Sequence, residues 1–239
     1  MIPKIIHYCW FGEEKSHKIQ ECIQSWYEHL PDYKFIEWNI NNFDVNMNAY
    51  VHDAFQAKKY AFVSDVARVK ALFEMGGIYL DTDVVVYKSF DSILAHSCVL
   101  GFEQDNYVAT SFMACEPGHP LMQQFFQLYE TLPFYDQDGK IITGTNVSKL
   151  TNMLVKKGLI RDNKYQQLED GIVVYPQEYF SPYEYGYCIN HRNENTICEH
   201  LFLVSWMSRS TKVKKRIKKI LVMVIGPKRY KRMRNRIKG

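Results

Sequence analysis

Asp81 and Asp83 stand two residues apart in the stretch Gly76-Gly77-Ile78-Tyr79-Leu80-Asp81-Thr82-Asp83-Val84-Val85-Val86. Ile78 to Leu80 and Val84 to Val86 are strand formers, so the acids interrupt an apolar run. An ionised carboxylate in such a run is expensive to bury unless something pairs with it. If the backbone stays extended, side chains at i and i+2 point the same way. Two carboxylates on one side repel each other unless a cation joins them, and oxygen ligands suit Mg²⁺ or Mn²⁺. A polar turn at a strand end accounts for the same letters, and the acid pair alone leaves both readings open.

A second charged pair lies upstream, in Ser64-Asp65-Val66-Ala67-Arg68. Asp65 and Arg68 are three apart and share one face of a helix. On a surface such a pair contributes only a few tenths of a kcal/mol. Its neighbours, however, are Ala61, Phe62, Val63, Val66, Ala67, Val69, Ala71 and Leu72. In so apolar a helix the pair is expected to face a cleft, where a carboxylate that accepts and a guanidinium that donates suit polyhydroxyl groups. Glu103 and Asp105 are further acids with no role that spacing assigns.

The elements that must hold these groups read as alternating strands and helices. Strands are predicted at Lys4–Trp10, Tyr33–Trp38, Ile78–Leu80, Cys98–Phe102, Val108–Ala114, Ile172–Tyr175 and Leu201–Val204. Helices are predicted from a Ser16 cap to about His29, over about Tyr60–Met75, from the Glu116–Pro120 turn to about Tyr129, and from Thr145 or Asn146 to Lys157. Gly76-Gly77 ends the second helix, because glycine adopts a positive-φ cap cheaply. This alternation indicates an α/β fold with a mainly parallel sheet.

The chain has 239 residues, 46% of them hydrophobic, enough for one sizeable core. No apolar run reaches the roughly 18–20 residues that span a bilayer, and the N-terminus lacks signal-peptide features. Six scattered cysteines without a C-x-x-C pair read as reduced thiols, which leads to an expected cytoplasmic location. The formal net charge of +4 conceals an asymmetry. Residues 209–239 carry 14 Lys and Arg and no Asp or Glu, which leaves the preceding 208 residues with 16 basic against 26 acidic side chains, a formal −10. Two parts follow: a catalytic domain over 1–208 and a basic tail over 209–239.

Four motifs, taken in order, resemble glycosyltransferase family 32. These are bacterial capsule and lipopolysaccharide enzymes related to yeast mannosyltransferases and, more distantly, to clostridial glucosylating toxins. The motifs are Ile2-Pro-Lys-Ile-Ile-His-Tyr-Cys-Trp-Phe-Gly12; Ser64 to Arg68 with Leu72 and Gly76 to Asp83; Glu116-Pro-Gly-His-Pro120; and His200 followed by Ser205-Trp206. The resemblance implies a GT-A fold, a nucleotide-sugar donor with UDP as the nucleotide, a divalent metal and retention of anomeric configuration. It further implies that Asp83 ligates the metal directly and that Asp81 meets the ribose, or the metal through water. Asp65 and Arg68 would hold donor-sugar hydroxyls, Trp10 would stack on the nucleobase, and Ser205 and Trp206 would lie by the diphosphate. His200 becomes a third metal ligand, which favours Mn²⁺ over Mg²⁺. An ordinary core role stays open for Trp10 and a structural one for His200. The chain departs from the family at Gly144-Thr145, where the family has Gly-Pro, and near Thr110, where it often has Asn.

In the tail, Val213, Ile217, Ile220, Leu221 and Val224 recur at helical spacing among the cations. Such a helix lies in a membrane interface rather than crossing it, and each cation near an anionic leaflet contributes about 1 kcal/mol. The expected partner is the cytoplasmic face of a membrane, where a lipid-linked glycan acceptor in capsule, O-antigen or exopolysaccharide synthesis would be found. Packing on the body through Ile217, Leu221 and Val224 is the alternative. No nucleic acid is expected, because the body is acidic. Two rival functions stand beside the transferase: a membrane-peripheral binding protein with a structural cation, and a nucleotide-diphosphate hydrolase.

Overall fold

The computed structural model describes residues 1–142, 144–203, 217–218, 221–226, 229–230 and 232–233. In chain order the elements are β1 (Ile5–Cys9), α1 (His17–His29), β2 (Lys34–Trp38), α2 (Ala49–Gln56), α3 (Tyr60–Met75), β3 (Gly77–Leu80), β4 (Val84–Val86), β5 (Cys98–Glu103), β6 (Tyr107–Val108), β7 (Phe112–Cys115), α4 (Pro120–Thr131), α5 (Asn146–Lys156), β8 (Gln166–Gln167), β9 (Ile172–Tyr175), α6 (Gln177–Phe180), β10 (Tyr183–Glu184), β11 (Ile189–Asn190) and β12 (Cys198–His200).

The main sheet runs β2-β1-β3-β7-β5-β9-β8, with β6 paired to β5. Strands β2, β1, β3, β5 and β9 point one way and β7 and β8 the other. This is a mainly parallel α/β architecture. Successive residues of a strand face opposite sides, so each strand feeds two cores. Tyr79, Leu100 and Met113 face α2, α3, α4 and α5. Ile78, Leu80, Val99, Phe112 and Ala114 face α1, α6 and β4.

Helix α3 stops at Gly76 for a steric reason. Gly76 has φ +62°, and a Cβ there would lie 2.6 Å from the backbone nitrogen of Pro117. The Gly76 carbonyl accepts from Nε2 of buried His7 at 2.8 Å, while Trp38 donates to His7 Nδ1 at 3.1 Å. Burial lowers the His7 pKa to about 4, so the ring is neutral and ties β1, β2 and the α3–β3 junction together.

Three sequence expectations need correction. Asp81 and Asp83 are not on one extended strand: β3 ends at Leu80, and the Val84 amide donates to the Asp81 carbonyl at 3.0 Å, closing a turn. The strand expected over Val108–Ala114 is broken into β6 and β7, because the Asp81 amide and the Arg68 guanidinium bond the Ser111 and Thr110 carbonyls. The strand expected over Leu201–Val204 lies earlier, at β12, which pairs antiparallel with β4. Leu201 to Leu203 leave the ladder because Phe202 has φ +50° and both leucine amides turn to Asp83. Val204 is outside the described residues.

All six cysteines are free. Among the described residues, no helix is long and apolar enough to cross a membrane. Of the described tail residues, Val222 is buried, whereas Ile217, Leu221 and Val224 are 60%, 41% and 78% exposed. Lys218 sits 3.9 Å from the Tyr185 ring centre.

Candidate active site

Parallel β1, β3 and β5 end at one edge of the sheet, and the chemistry-bearing residues gather there. Arg68, on α3, is the fixed point. Its Nη1 donates to the Thr110 carbonyl at 2.7 Å and lies 3.2 Å from Asp81 Oδ1. Its Nη2 lies 3.0 Å from Asp65 Oδ1, and its Nε donates to the Ser64 carbonyl at 3.2 Å. The guanidinium also covers the Tyr79 ring at 4.6 Å, and Tyr79 donates its hydroxyl to Asp81 at 2.9 Å. With side-chain exposures of 7% for Arg68 and 17% for Asp65, this is an interior ion pair, not a surface one. Burial opposes the Arg68 charge, but Asp81, Tyr79 and Asp65 more than offset it and hold the guanidinium protonated. Burial pushes the Asp65 carboxyl up to about 6 against the pull of Arg68.

Asp83 faces a different partner. The β4–β12 ladder sets His200 opposite Val84, and His200 Nε2 lies 3.1 Å from Asp83 Oδ1. The Leu203 amide donates to Asp83 Oδ2 at 2.8 Å, and the Leu201 amide to the Asp83 carbonyl at 3.0 Å. Burial would raise the Asp83 carboxyl, yet His200 outweighs it and draws the group below its ordinary value. Burial would lower His200, but Asp83, Asp81 and Glu103 carry it to about 9. The Phe202 ring lies 3.9 Å from the imidazole and covers it.

Asp81, Asp83 and His200 each offer a ligand atom within 4.8 Å of the others. Two carboxylates and an imidazole form a donor set that Mn²⁺ accepts well and Mg²⁺ less so. His200 Nδ1 is buried and has no hydrogen-bond partner among the described residues, so protein contacts do not fully use this ring. Without an ion, the Arg68 guanidinium and the His200 proton supply the positive charge the acids require. These residues therefore fit a divalent cation.

Trp10 follows β1 at the same edge. Its amide donates to the Trp38 carbonyl at 2.8 Å, its indole N–H to the Glu13 carbonyl, and Lys15 lies 5.5 Å from its ring centre. None of its hydrogen bonds reaches Asp65, Arg68, Asp81, Asp83 or His200. Ser205 and Trp206 lie outside the described residues. Thr145 caps α5 by accepting from the Ser148 amide at 3.1 Å, and Asn146 is spent on Tyr129 and on the Asp65 carbonyl. Sequence reasoning missed Tyr79, which its i, i+2 relation to Asp81 could have revealed. The Thr110 carbonyl and the Leu203 amide are backbone groups with no side-chain signal to find.

Residues 16–100 match the family described as the glycosyltransferase sugar-binding region containing the DXD motif. Inositol phosphoceramide mannosyltransferase 3 of Schizosaccharomyces pombe is 28% identical over 131 residues, covering 52% of this chain and 36% of its own length. Mannosyl phosphorylinositol ceramide synthase SUR1 of Saccharomyces cerevisiae is 29% identical over 141 residues, covering 57% and 36%. The chain thus spans little more than a third of these relatives. Among solved structures, a glycosyltransferase involved in glycosylation of the PBCV-1 major capsid aligns at TM-score 0.49 and 12% identity, over 90% of this chain and 98% of that one. The galactosyltransferase LgtC aligns at TM-score 0.42 and 12% identity, over 93% and 96%. Residues 16–100 are thus similar to a glycosyltransferase sugar-binding region, and Asp81 and Asp83 form the D-x-D within that stretch.

Proposed function

We propose that this chain is a metal-dependent, retaining glycosyltransferase that moves a sugar from a UDP-sugar to a lipid-linked glycan acceptor in capsule, O-antigen or exopolysaccharide synthesis. The observation that carries the reading is the convergence of Asp81, Asp83 and His200 beside the buried Asp65–Arg68 pair. Asp81, Asp83 and His200 would hold a divalent ion, which when bound would supply Lewis-acid stabilisation of the departing nucleoside diphosphate. The protein's own part is preorganisation. Arg68 is locked by two backbone carbonyls and two carboxylates, so its charge needs no rearrangement when substrate arrives. Asp65 and Arg68 take donor-sugar hydroxyls, and Trp10 takes the nucleobase. No side chain is assigned as a covalent nucleophile. The acceptor oxygen attacks the anomeric carbon on the face from which the diphosphate departs, and the acceptor's proton passes to that phosphate.

The names of the yeast relatives describe mannosyl transfer to inositol phosphoceramide, which supports a lipid-borne acceptor here. The exposed apolar side chains of Ile217, Leu221 and Val224 support docking of the 209–239 tail on the inner face of an anionic membrane. On this reading residues 1–208 form the catalytic domain and the protein is cytoplasmic and peripheral. The test is a thermal-shift panel of nucleotide sugars with and without Mn²⁺, followed by transfer and hydrolysis assays with the same donors. A metal-dependent shift with release of sugar is expected. Release of phosphate from nucleoside diphosphates alone would indicate a hydrolase, and a chain inert to every donor would be a binding protein.

A further inference from the structure

Phe202 sits where two of the candidate metal ligands meet. Its backbone has φ +50°, a region that a bulky side chain enters only at a cost, and such outliers gather at functional sites. Its two neighbours hold it there. The Leu201 amide donates to the Asp83 carbonyl at 3.0 Å and the Leu203 amide to Asp83 Oδ2 at 2.8 Å. The turn centred on Phe202 therefore wraps Asp83, and it brings the Phe202 ring back onto His200, with ring centres 3.9 Å apart and planes tilted by 32°.

The imidazole has few polar contacts to orient it. A metal-bound histidine ordinarily gives its second ring N–H to a carboxylate, a carbonyl or water, which fixes the orientation of the ring. Here Nε2 lies 3.1 Å from Asp83 Oδ1, and Asp83 is itself a candidate ligand. Nδ1 is buried and has no hydrogen-bond partner among the described residues. Among those residues, then, no group outside the metal set holds the ring by a hydrogen bond. What the structure offers instead is the face of Phe202.

The Phe202 ring is braced in turn. Tyr185 stacks on it with 5.4 Å between centres and 26° between planes, and Tyr183 lies at 6.4 Å and 49°. Tyr183 belongs to β10 and Tyr185 to the turn that follows, in a hairpin that pairs Tyr183 with Asn190. Asn190 Nδ2 donates to Glu199 Oε1 at 2.6 Å, which ties the hairpin to β12 one residue before His200. The brace and the imidazole are thus anchored to the same strand.

We propose that Phe202 is a positioning residue for the metal: its ring, braced by Tyr185, holds the His200 imidazole in the orientation from which it ligates, in place of the hydrogen bond that such histidines usually make. This rests on the metal-dependent reading above. A ligand oriented before the ion arrives gives up less freedom on binding it, so the effect of the ring is on metal affinity.

Mn²⁺ affinity of the full chain, read from the electron paramagnetic resonance signal of free Mn²⁺, tests this with no substrate present. Phe202→Leu keeps an apolar side chain but removes the ring, and it should weaken Mn²⁺ binding by about tenfold or more, the scale on which groups behind the ligands act. Phe202→Tyr keeps the ring and should stay within about threefold of the unaltered chain. Tyr185→Leu withdraws the closer brace and should lose about threefold or more. The decisive comparison is with His200→Ala: if the ring acts through the imidazole, adding Phe202→Leu to His200→Ala changes Mn²⁺ affinity by less than about twofold. A Phe202→Leu chain that binds Mn²⁺ as tightly as the unaltered one would overturn the assignment, as would a Tyr185→Leu chain that does so where Phe202→Leu does not fold. A loss that adds in full to that of His200→Ala would overturn it too, since that marks general packing. An unaltered chain that binds no Mn²⁺ refutes the metal reading and takes this assignment with it.

Discussion

Replacing Arg68 by Ala is the most demanding test of the site's construction. The guanidinium is 93% buried and makes contacts of 3.0 Å to Asp65, 3.2 Å to Asp81, 2.7 Å to the Thr110 carbonyl and 3.2 Å to the Ser64 carbonyl. Its removal leaves two largely buried carboxylates facing one another without a cation. Breaking a buried pair in this way costs about 3–5 kcal/mol, a large part of the roughly 5–15 kcal/mol that holds a domain folded. For a chain of this size that is a fall in Tm of about 6–20 °C. Urea and thermal melts of the metal-free protein measure it. Arg68→Lys recovers little, because a lysine cannot reach the two acids and two carbonyls in one plane. The discriminating measurement is the double mutant: adding Asp65→Asn to Arg68→Ala should restore about 1–2 kcal/mol, since the pair is coupled. A loss under about 1 kcal/mol for Arg68→Ala, or strict additivity of the two changes, would refute the view that Arg68 neutralises a buried acid cluster.

Three further outcomes are expected. The imidazolium of His200 must lose its proton to ligate, so Mn²⁺ affinity should rise with pH toward 9, with proton release visible by calorimetry in two buffers; the ion-free protein should show the opposite trend, because stability from a His raised to about 9 is complete below 6.5 and is lost as pH climbs through 9. Gly76→Ala should cost more than about 2 kcal/mol in urea unfolding, because its φ is +62° and the new Cβ meets backbone atoms at 2.6 and 2.9 Å that no side-chain motion relieves. Truncation after Ser208 should abolish flotation with anionic liposomes while nucleotide-sugar affinity remains, whereas equal flotation of both proteins would exclude the tail as the anchor.

Much of this architecture is legible in the letters. Helix α3 spans Tyr60–Met75 as its apolar spacing and the Gly pair indicate, and β9 covers Ile172–Tyr175 as its β-branched run does. Local periodicity and glycine sterics decide those elements, so a window of sequence suffices. What escaped is decided by distant backbone. The Val108–Ala114 run has uniform strand propensity, yet it breaks where Thr110 and Ser111 bond Arg68 and Asp81. Leu201 to Leu203 are as apolar as a strand, but the pull of Asp83 on their amides ends β12 at His200. The two acids of the D-x-D also separate for this reason: Asp81 belongs to Arg68 and Tyr79, and Asp83 to His200 and Leu203. No local rule reports that division.

The Asp83–Leu203 bond joins residues 120 positions apart. Closing a loop of that length costs roughly 4 kcal/mol in chain entropy by the logarithmic rule. Strands β4 and β12 add only three residue pairs toward it. During synthesis, Asp83 is therefore made long before its histidine leaves the ribosome, and β1, β2 and β3 can pair while the site is still half absent. A cation held among Asp81, Asp83 and His200 would act as a cross-link across that loop, so metal should slow unfolding of the returning segment more than it alters the sheet beneath.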